Sequence, residues 1–333
     1  MRAAVLSGIG SWLPPRIVTN DELAQRHDTS DHWIRTRTGI VARHIVSPGM
    51  PTSHLAEQAG ARALQSAGTR DIDAVLLATT TPDRLCPASA PKVAHALGLG
   101  GRPAFDLDAV CSGFLYALST AASIIVSEAA DRVLVIAAEA FSTLINPSDR
   151  SSAVVFGDGA GAVVLRAGTP DEPGAIGRSV LGSDGSLADL ITVLAGGSEQ
   201  PHATSPDGHD DNRYFSMRGR AVFHHAVNRM SEATRASLAH TGWAAEDVDR
   251  IVAHQANLRL LHSVAEQLNI APERLVVHLD RVGNTAAASI PLALEHANRS
   301  GALVPGHRVV LTAFGGGATW GATTLIWPSL TCA

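Results

Sequence analysis

The chain of 333 residues is poor in lysine, cysteine and aromatic residues. Lys92 is its only lysine, and the other basic residues are arginines that form no basic block. Because the formal net charge is −5, this pattern argues against nucleic acid as the main ligand. No apolar run is long enough to cross a membrane, so we expect no membrane partner. Residues 1–10 are broken by small residues and predict a first β-strand rather than a signal peptide.

Only three cysteines occur, namely Cys86, Cys111 and Cys332. Three cysteines in so long a chain give no disulfide framework, and their spacing matches no zinc site. We therefore expect no metal, and a reducing cytoplasm is the compartment that fits best.

Apolar residues are abundant and charged residues are few, at 45% and 17% of the chain. This composition supports a large core and argues against disorder. Short, continuously apolar segments indicate strands buried on both faces, and helical patterns alternate with them at about residues 53–67, 113–128, 219–240, 257–268 and 286–299. The alternation predicts an α/β fold.

The same pattern of strands occurs twice along the chain. Segments 73–80, 104–111, 131–138 and 157–165 have echoes at 249–256, 276–284, 307–313 and 316–326. Residues 171–215 are rich in glycine, proline and polar residues, and they interrupt the alternation of strands and helices. We interpret them as the connection between the two halves, with a loop on the surface. We predict two similar halves, residues 1–170 and residues 171–333.

Cys111 ends a strand-like run and is followed by Ser112, Gly113 and a helical pattern. A thiol at such an elbow faces the positive end of a helix, where backbone N–H groups favour a thiolate nucleophile. A lone cysteine is also commonly an inert core residue, so the rest of the chain has to decide between these interpretations.

The overlay of the halves brings His254 and Asn284 to strand ends that match the end carrying Cys111. In open α/β sheets, sites form at strand ends. A cysteine can accept an acyl group there, while histidine and asparagine donate hydrogen bonds to a developing oxyanion. Asn284 could also serve as a helix N-cap. The glycines at 315–317 could form a turn or allow a close backbone approach to a ligand.

The chain resembles the β-ketoacyl-acyl carrier protein synthase III family nearly end to end. The matching motifs are residues 28–40, the segment around Cys111, residues 149–150, 156–161, 254–259, 283–284 and 314–321. The resemblance implies a thiolase-like duplicated αβαβα five-layer fold and a homodimer. The half at 1–170 would carry the nucleophile, and the half at 171–333 would carry the histidine and asparagine.

The resemblance also implies the chemistry. Cys111 would be acylated by an acyl-CoA, and malonyl-acyl carrier protein would then lose carbon dioxide and attack the acyl group. His254 and Asn284 would bind the malonyl thioester oxygen, and the N–H groups of Cys111 and Gly316 would form the oxyanion hole. The family's CoA-binding positions match Trp33, Arg37, Arg150, Asn257 and Arg259. No cofactor is expected, because acyl-CoA and malonyl-acyl carrier protein are substrates.

The acyl pocket departs from the family's usual pattern. The match assigns Cys86, Phe156 and Phe314 to this pocket, with Cys86 supplied by the neighbouring subunit at a position that is often phenylalanine. A sulfhydryl is much smaller than a phenyl ring, so we expect a deeper pocket that takes starters longer or more branched than acetyl. Ser112 replaces a frequent alanine, and Arg220 stands where a neutral residue is common.

Other functions remain as alternatives to condensation. The first is a thiolase-fold acyltransferase that moves an acyl group to an oxygen or nitrogen acceptor in secondary metabolism, although such enzymes often alter the His/Asn pair. Residues 314–318 lack the second cysteine of a thiolase, and Asn284 replaces the second histidine of elongating ketosynthases. A non-catalytic partner subunit would lack Cys111. A Cys-His-Asn hydrolase agrees only with the order of the three residues.

Overall fold

The computed structural model describes residues 1–201 and 211–332. Within these ranges the strands are β1 (Ala3–Trp12), β2 (Arg16–Thr19), β3 (Ala42–Ile45), β4 (Ala74–Ala78), β5 (Ala104–Leu107), β6 (Arg132–Glu139), β7 (Gly159–Gly168), β8 (Val180–Ser183), β9 (Ile191–Thr192), β10 (Ser216–Met217), β11 (Arg250–Ala253), β12 (Arg308–Gly315) and β13 (Thr319–Ile326). The α-helices are α1 (Asn20–Ala24), α2 (Asp31–Thr38), α3 (Thr52–Ala67), α4 (Ala90–Ala96), α5 (Gly113–Val126), α6 (Arg150–Ala153), α7 (Gly219–Thr241), α8 (Leu258–Gln267), α9 (Leu279–Val282) and α10 (Ser289–Arg299).

Two large mixed sheets form the centre of the fold. The first has the strand order β1-β7-β6-β4-β5, and the second has the order β11-β12-β13-β8. Strand β4 is parallel to β5 and β6, and β11 is parallel to β12, while the remaining pairs in these sheets are antiparallel. Two small ribbons, β2-β3 and β9-β10, lie outside them.

The helices form three layers around the two sheets. Helices α5 and α10 contact strands of both sheets and therefore form the middle layer. Helices α3 and α4 pack on the first sheet, and α7 packs on the second with α8 beside it. The result is an αβαβα arrangement, as the sequence predicted. No helix within residues 1–201 or 211–332 has the length and apolar character needed to cross a membrane.

The burial of the strands explains their continuous apolar sequence. In β4, Leu76 and Ala78 face the middle helical layer, whereas Val75 and Leu77 face the layer that contains α3. Since side chains alternate between the two faces of a strand, burial on both faces requires apolar residues at every position. Gly10 lets α3 approach β1, because a Cβ atom there would lie 2.3 Å from the amide nitrogen of Ala63.

Most predicted elements are confirmed, and one strand is wrong. All five predicted long helices are present, and the first strand starts at Ala3. The segment at 276–284 forms no ladder strand; it contains helix α9 and follows a single bridge between Ile251 and Leu275. The segment at 171–215 is more than a connection, because β8 completes the second sheet. Part of it, residues 202–210, lies outside the described residues.

The two large sheets take their strands from separate parts of the chain, residues 3–168 and residues 180–326. The middle helical layer joins them, because α5 from the first part packs against both sheets. The division into halves at residue 170 stays a prediction.

Candidate active site

Cys111 lies at a sharp turn between β5 and α5. Residues Val110–Ser112 form a 3₁₀ turn, and α5 begins at Gly113. Val110 has a φ of 48°, in the left-handed region, which a β-branched residue rarely adopts. The Cys111 side chain is buried, with 8% of its surface exposed. The predicted elbow is therefore present, and its backbone is strained immediately before the thiol.

The protonation state of Cys111 differs from the sequence-based expectation. Burial raises the pKa of the Cys111 thiol well above its usual range, and the carboxylates of Glu139 and Asp108 act in the same direction. Its own backbone N–H acts in the opposite direction but does not offset them. The hydrogen bonding at the helix start thus favours the thiolate, as expected, but desolvation acts in the opposite direction and is the larger effect.

Asn284 lies at a second, similar elbow. It follows Gly283 and precedes the 3₁₀ turn Ala286–Ala288, in which Ala286 has a φ of 45°. The side-chain oxygen of Asn284 accepts a hydrogen bond of 2.9 Å from the Ala286 N–H. Its backbone bridges to Phe156. Asn284 is not the predicted helix N-cap, since Thr285 precedes the 3₁₀ turn and Ala288 precedes α10, but this hydrogen bond to the Ala286 N–H fixes the position of its side-chain amide.

His254 follows β11 and is almost fully buried, with 3% of its surface exposed. Its Nδ1 atom lies 2.7 Å from the hydroxyl oxygen of Ser289, the first residue of α10. The same hydroxyl accepts a hydrogen bond from the backbone N–H of Gln255. Burial lowers the pKa of His254 to about 4, so the imidazole is neutral at physiological pH. A Ser289 hydroxyl that donates to Nδ1 leaves the imidazole N–H at Nε2.

The glycine-rich loop between β12 and β13 presses against the Cys111 elbow. A Cβ atom at Gly315 would lie 2.8 Å from the backbone nitrogen of Cys111, so only glycine fits there. Beyond Gly316, the Thr319 hydroxyl lies 2.7 Å from the hydroxyl of Ser112. Gly315 therefore allows a close approach of this loop to the backbone of Cys111, and the predicted approach to a ligand stays a prediction.

An apolar cluster surrounds Cys111. It contains Phe141, Phe156 and Phe215, whose ring centroids lie 4.5 to 5.2 Å apart. Phe156 is thus where the acyl-pocket prediction needs it. Phe314 is not in this cluster: the alternation along β12 turns it toward the core under α7 and α8.

Cys86 is exposed on the loop between β4 and α4 and lies outside the cluster around Cys111 of its own chain. Its contribution to a neighbouring subunit's pocket stays a prediction, as does the pocket role of Phe314.

A cavity of about 580 Å³ leads to Asn284 from the surface. Three of the predicted CoA-binding residues, Arg37, Asn257 and Arg259, line it, together with Arg220. Asn257 also caps α8, since its side-chain oxygen accepts a hydrogen bond from the Leu260 N–H. The cavity therefore joins the predicted CoA residues to the predicted catalytic asparagine.

The other two predicted CoA-binding residues lie together. The Arg150 guanidinium is 5.1 Å from the centroid of the Trp33 ring, and Arg150 also donates to the backbone oxygen of Asp28. Arg37, which lines the cavity, is 6.0 Å from the same ring. Trp33 is 36% exposed, so part of its ring surface is accessible to solvent.

Comparisons with known proteins match the whole chain. The family model described as 3-oxoacyl-[acyl-carrier-protein] synthase III matches residues 105–185, and the model of its C-terminal part matches residues 238–327. The chain is 58% identical over 331 residues to β-ketoacyl-[acyl-carrier-protein] synthase III 3 of Streptomyces coelicolor, covering 99% of this chain and 98% of that protein. The chain belongs to the β-ketoacyl-[acyl-carrier-protein] synthase III family.

Solved structures agree with this family assignment. The synthase III of Pseudomonas aeruginosa PAO1 matches with a TM-score of 0.92 and 47% identity, over 99% of both chains. The priming β-ketosynthase from the R1128 polyketide biosynthetic pathway matches with a TM-score of 0.90 and 34% identity, over 98% of this chain and 97% of that chain. The predicted thiolase-like five-layer fold of this synthase III family member is thus confirmed.

Several residues of this synthase III site had no clear sequence signal. Ser289 and Thr319 are ordinary polar residues at an element start, and only the fold shows that they contact His254 and Ser112. Phe141 follows the end of β6, a position that could have drawn attention because sites form at strand ends. Phe215 lies in the irregular segment, where no pattern indicates its burial. Among the described residues, no group of histidine, cysteine or acidic side chains could hold a metal ion.

Proposed function

We propose that the chain catalyses the decarboxylative Claisen condensation of an acyl-CoA starter with malonyl-acyl carrier protein, through an acyl-Cys111 intermediate. The reaction would start fatty acid or polyketide synthesis. The observation that carries this proposal is that the Cys111 turn contacts the turn after Asn284, that Gly315 packs on the backbone of Cys111, and that a cavity reaches Asn284. His254 is held on the same side of the fold by its contact with Ser289, the first residue of α10. The names of the most similar relatives support the same activity.

In the first step, the sulfur of Cys111 attacks the thioester carbonyl of the acyl-CoA. The carbonyl oxygen becomes an oxyanion that the backbone N–H groups of Cys111 and Gly316 would stabilise, each donor contributing about 3 kcal/mol. The carbon–sulfur bond to CoA then breaks, and the proton of the Cys111 thiol ends on the CoA sulfur. Since the resting thiol is neutral, this proton must leave during attack rather than before it.

In the second step, His254 and Asn284 would donate hydrogen bonds to the thioester oxygen of malonyl-acyl carrier protein. Loss of carbon dioxide leaves an enolate, which these donors stabilise. The enolate carbon attacks the acyl group, and the Cys111 sulfur leaves and regains a proton. This role requires a neutral imidazole with its proton on Nε2, and the buried environment that lowers the pKa of His254 favours that form.

The substrates would enter through the cavity. The adenine ring of CoA would stack on Trp33 beside Arg150, and the pantetheine arm would pass Arg37 and Asn257. Arg259 at the same cavity would attract an acidic carrier protein. We further propose a homodimer in the cytoplasm, with Cys86 of each subunit at the partner's acyl pocket.

Mass spectrometry of the intact protein tests the proposal. We expect a panel of acyl-CoAs to leave an acyl adduct on Cys111 that discharges to β-ketoacyl product only when malonyl-acyl carrier protein is added. Cys111→Ala should abolish the adduct, and Asn284→Ala should preserve acylation but abolish condensation. A surviving adduct on the Cys111→Ala protein would overturn the nucleophile. Rapid hydrolysis without an adduct would favour a hydrolase instead.

Plain acyl transfer to an oxygen or nitrogen acceptor is the less favoured function. Both His254 and Asn284 are retained at the site, and an acyltransferase that forms no carbon–carbon bond has no need to stabilise an enolate. Discharge of the adduct by a hydroxyl or amine acceptor, without malonyl donor, would support it.

A further inference from the structure

Glu139 is a buried carboxyl group that the proposed chemistry does not use. It is the last residue of β6 and has no exposed surface. Within residues 1–201 and 211–332, no basic side chain forms a salt bridge with it. A buried carboxyl without a cation is unfavourable unless hydrogen bonds compensate for the lost hydration. Its hydrogen-bond partners therefore indicate why it is present.

These partners come from two segments. The backbone N–H of Thr80 lies 3.1 and 3.3 Å from the two carboxyl oxygens, and the Thr81 hydroxyl lies 2.8 Å from one of them. Strand β6 also packs against the 3₁₀ turn Ala286–Ala288, and the backbone N–H of Ala287 lowers the pKa of the Glu139 carboxyl. Glu139 thus joins the turn that follows β4 to the 3₁₀ turn that precedes α10.

The turn after β4 continues the connection to Cys111. The Thr80 hydroxyl donates to the Asp108 carboxylate over 2.9 Å. The same carboxylate oxygen accepts the backbone N–H of Val110, also over 2.9 Å. Val110 is the strained residue directly before Cys111. Glu139 is therefore linked through Thr80 and Asp108 to the backbone that orients the thiol.

On its other side, Glu139 is linked to Asn284. Its partner Ala287 belongs to the 3₁₀ turn Ala286–Ala288, and Ala286 donates to the Asn284 side chain. Ala286 is strained in the same way as Val110, with a positive φ. A strained residue costs about 1–3 kcal/mol and persists only when its surroundings hold it in place. Glu139 contributes to the contacts that hold both Val110 and Ala286 in place.

We propose that Glu139 is a positioning residue that holds the Cys111 elbow and the Asn284 elbow in register for the condensation step. This inference rests on the proposed function, in which the acyl carbon on Cys111 meets an enolate bound by Asn284. A misplacement of about 1 Å between reacting groups can cost on the order of 100-fold in rate. Loss of the connection through Glu139 should therefore affect condensation more than acylation.

The negative charge of Glu139 should affect the ionisation of the Cys111 thiol, an effect that an uncharged side chain with the same structural role would not have. Burial raises the pKa of Glu139 to about 8, and the Asp108 carboxylate acts in the same direction. Two titratable groups interact electrostatically with the Glu139 carboxyl, namely Asp108 and Cys111. A third, Asp158, precedes Gly159, the residue that pairs with Glu139 in the sheet, and its carboxylate accepts hydrogen bonds from Ser142 and Val46. The turn after β4 continues to Asp83, whose carboxylate pairs with Lys92, and the turn Ala286–Ala288 carries no titratable residue. Above about pH 8 the ionised carboxylate should oppose formation of the Cys111 thiolate.

The test compares Glu139→Ala and Glu139→Gln with the full-length wild type. Glu295→Gln is the matched control, because Glu295 is also a buried carboxylate but pairs with Ser11 and Arg299. We expect Glu139→Ala to lower kcat for condensation about 10- to 100-fold, with the KM for malonyl-acyl carrier protein within about threefold. Glu139→Gln should restore kcat to within about fivefold, and the control should match the wild type.

A second measurement is the pH profile of Cys111 alkylation by iodoacetamide. We expect Glu139→Gln to react faster than the wild type at pH 9, because it carries no negative charge near the thiol. Should Glu139→Ala fail to fold, Thr81→Val, which removes the 2.8 Å hydrogen bond to the Glu139 carboxyl, should still slow condensation more than acylation, and an equal effect on both steps would overturn the proposal. Condensation by a folded Glu139→Ala within threefold of the wild type would also overturn it. A wild type that forms no Cys111 adduct would instead refute the proposed function itself.

Discussion

The hydroxyl of Ser289 lies 2.7 Å from Nδ1 of His254. This contact joins the end of β11 to the start of α10, the helix that follows the Asn284 elbow. This hydrogen bond therefore fixes the imidazole of His254, one proposed donor, relative to α10, the helix that follows the other proposed donor, Asn284. It also satisfies a polar atom of an imidazole that is buried.

Replacement of Ser289 by alanine should impair condensation and preserve acylation. Without the hydroxyl, the imidazole loses the partner that favours the proton on Nε2, and we expect kcat for condensation to fall about tenfold. Separate assays of adduct formation and β-ketoacyl product would measure this. Ser300→Ala, at the exposed C-terminal end of the same helix, is the control. An equal loss in both steps would show that Ser289 supports only the fold.

Trp33→Ala should weaken the use of acyl-CoA by about 1 kcal/mol, which corresponds to a KM increase of about fivefold. The reason is the loss of the ring that Arg150 faces at 5.1 Å. Steady-state kinetics would measure it, with an acyl thioester of N-acetylcysteamine as the control substrate because it lacks adenine. Trp243→Ala, whose ring faces Arg308, is the control variant. An equal loss with both substrates would argue against adenine stacking.

Cys86→Phe should shift the starter preference toward acetyl-CoA. If Cys86 lines a partner's acyl pocket, a phenyl ring there would fill the space available to longer acyl chains, and their relative kcat/KM should fall about tenfold or more. Competition between acetyl-CoA and branched or longer acyl-CoAs would measure the ratio. Leu85→Ala, on the same exposed loop, controls for a general effect of the loop. An unchanged ratio, or a wild type that strongly prefers acetyl-CoA, would contradict the deeper pocket.

His278→Asn should make stability less sensitive to acid. Burial lowers the pKa of His278 to about 3, and the stacked ring of His296, 4.2 Å away, acts in the same direction. The unfolded chain therefore binds this proton near pH 6.5 while the folded chain does not, so the contribution of His278 to stability falls as the pH falls below 6.5. At pH 5 this loss is about 2 kcal/mol.

Denaturant unfolding at pH 8 and pH 5 would test that prediction. We expect the wild type to lose about 2 kcal/mol more between these pH values than His278→Asn does. His262→Asn, at an exposed position, should behave like the wild type. Equal pH dependence in the wild type and His278→Asn would refute the assignment.

The repeated pattern of apolar strands determined much of the fold. Strands such as β4 are buried on both faces, and such burial requires a continuous run of apolar residues, which can be recognised in the sequence. The elbow of Cys111 was also readable, since a strand pattern ends there and a helical pattern begins. The overlay of the two halves added His254 and Asn284, and the motif resemblance added their proposed roles and the cavity residues. The failure at 276–284 has a local cause: its apolar residues pack beside β11 and in α9 without forming a ladder.

The electrostatics and the supporting contacts of the site follow from the three-dimensional packing and were not predicted. The helix start suggested a thiolate at Cys111, but burial and two carboxylates raise its pKa. Sequence patterns record which residues face the core, whereas desolvation depends on atoms brought together from distant segments. Glu139 and Ser289 contact residues far from them in sequence, so no local pattern could have revealed their partners. The apolar pattern indicated the α/β alternation and the position of Cys111 between a strand and a helix, and the packing of the two sheets sets the environment of that thiol, because burial depends on atoms from distant segments.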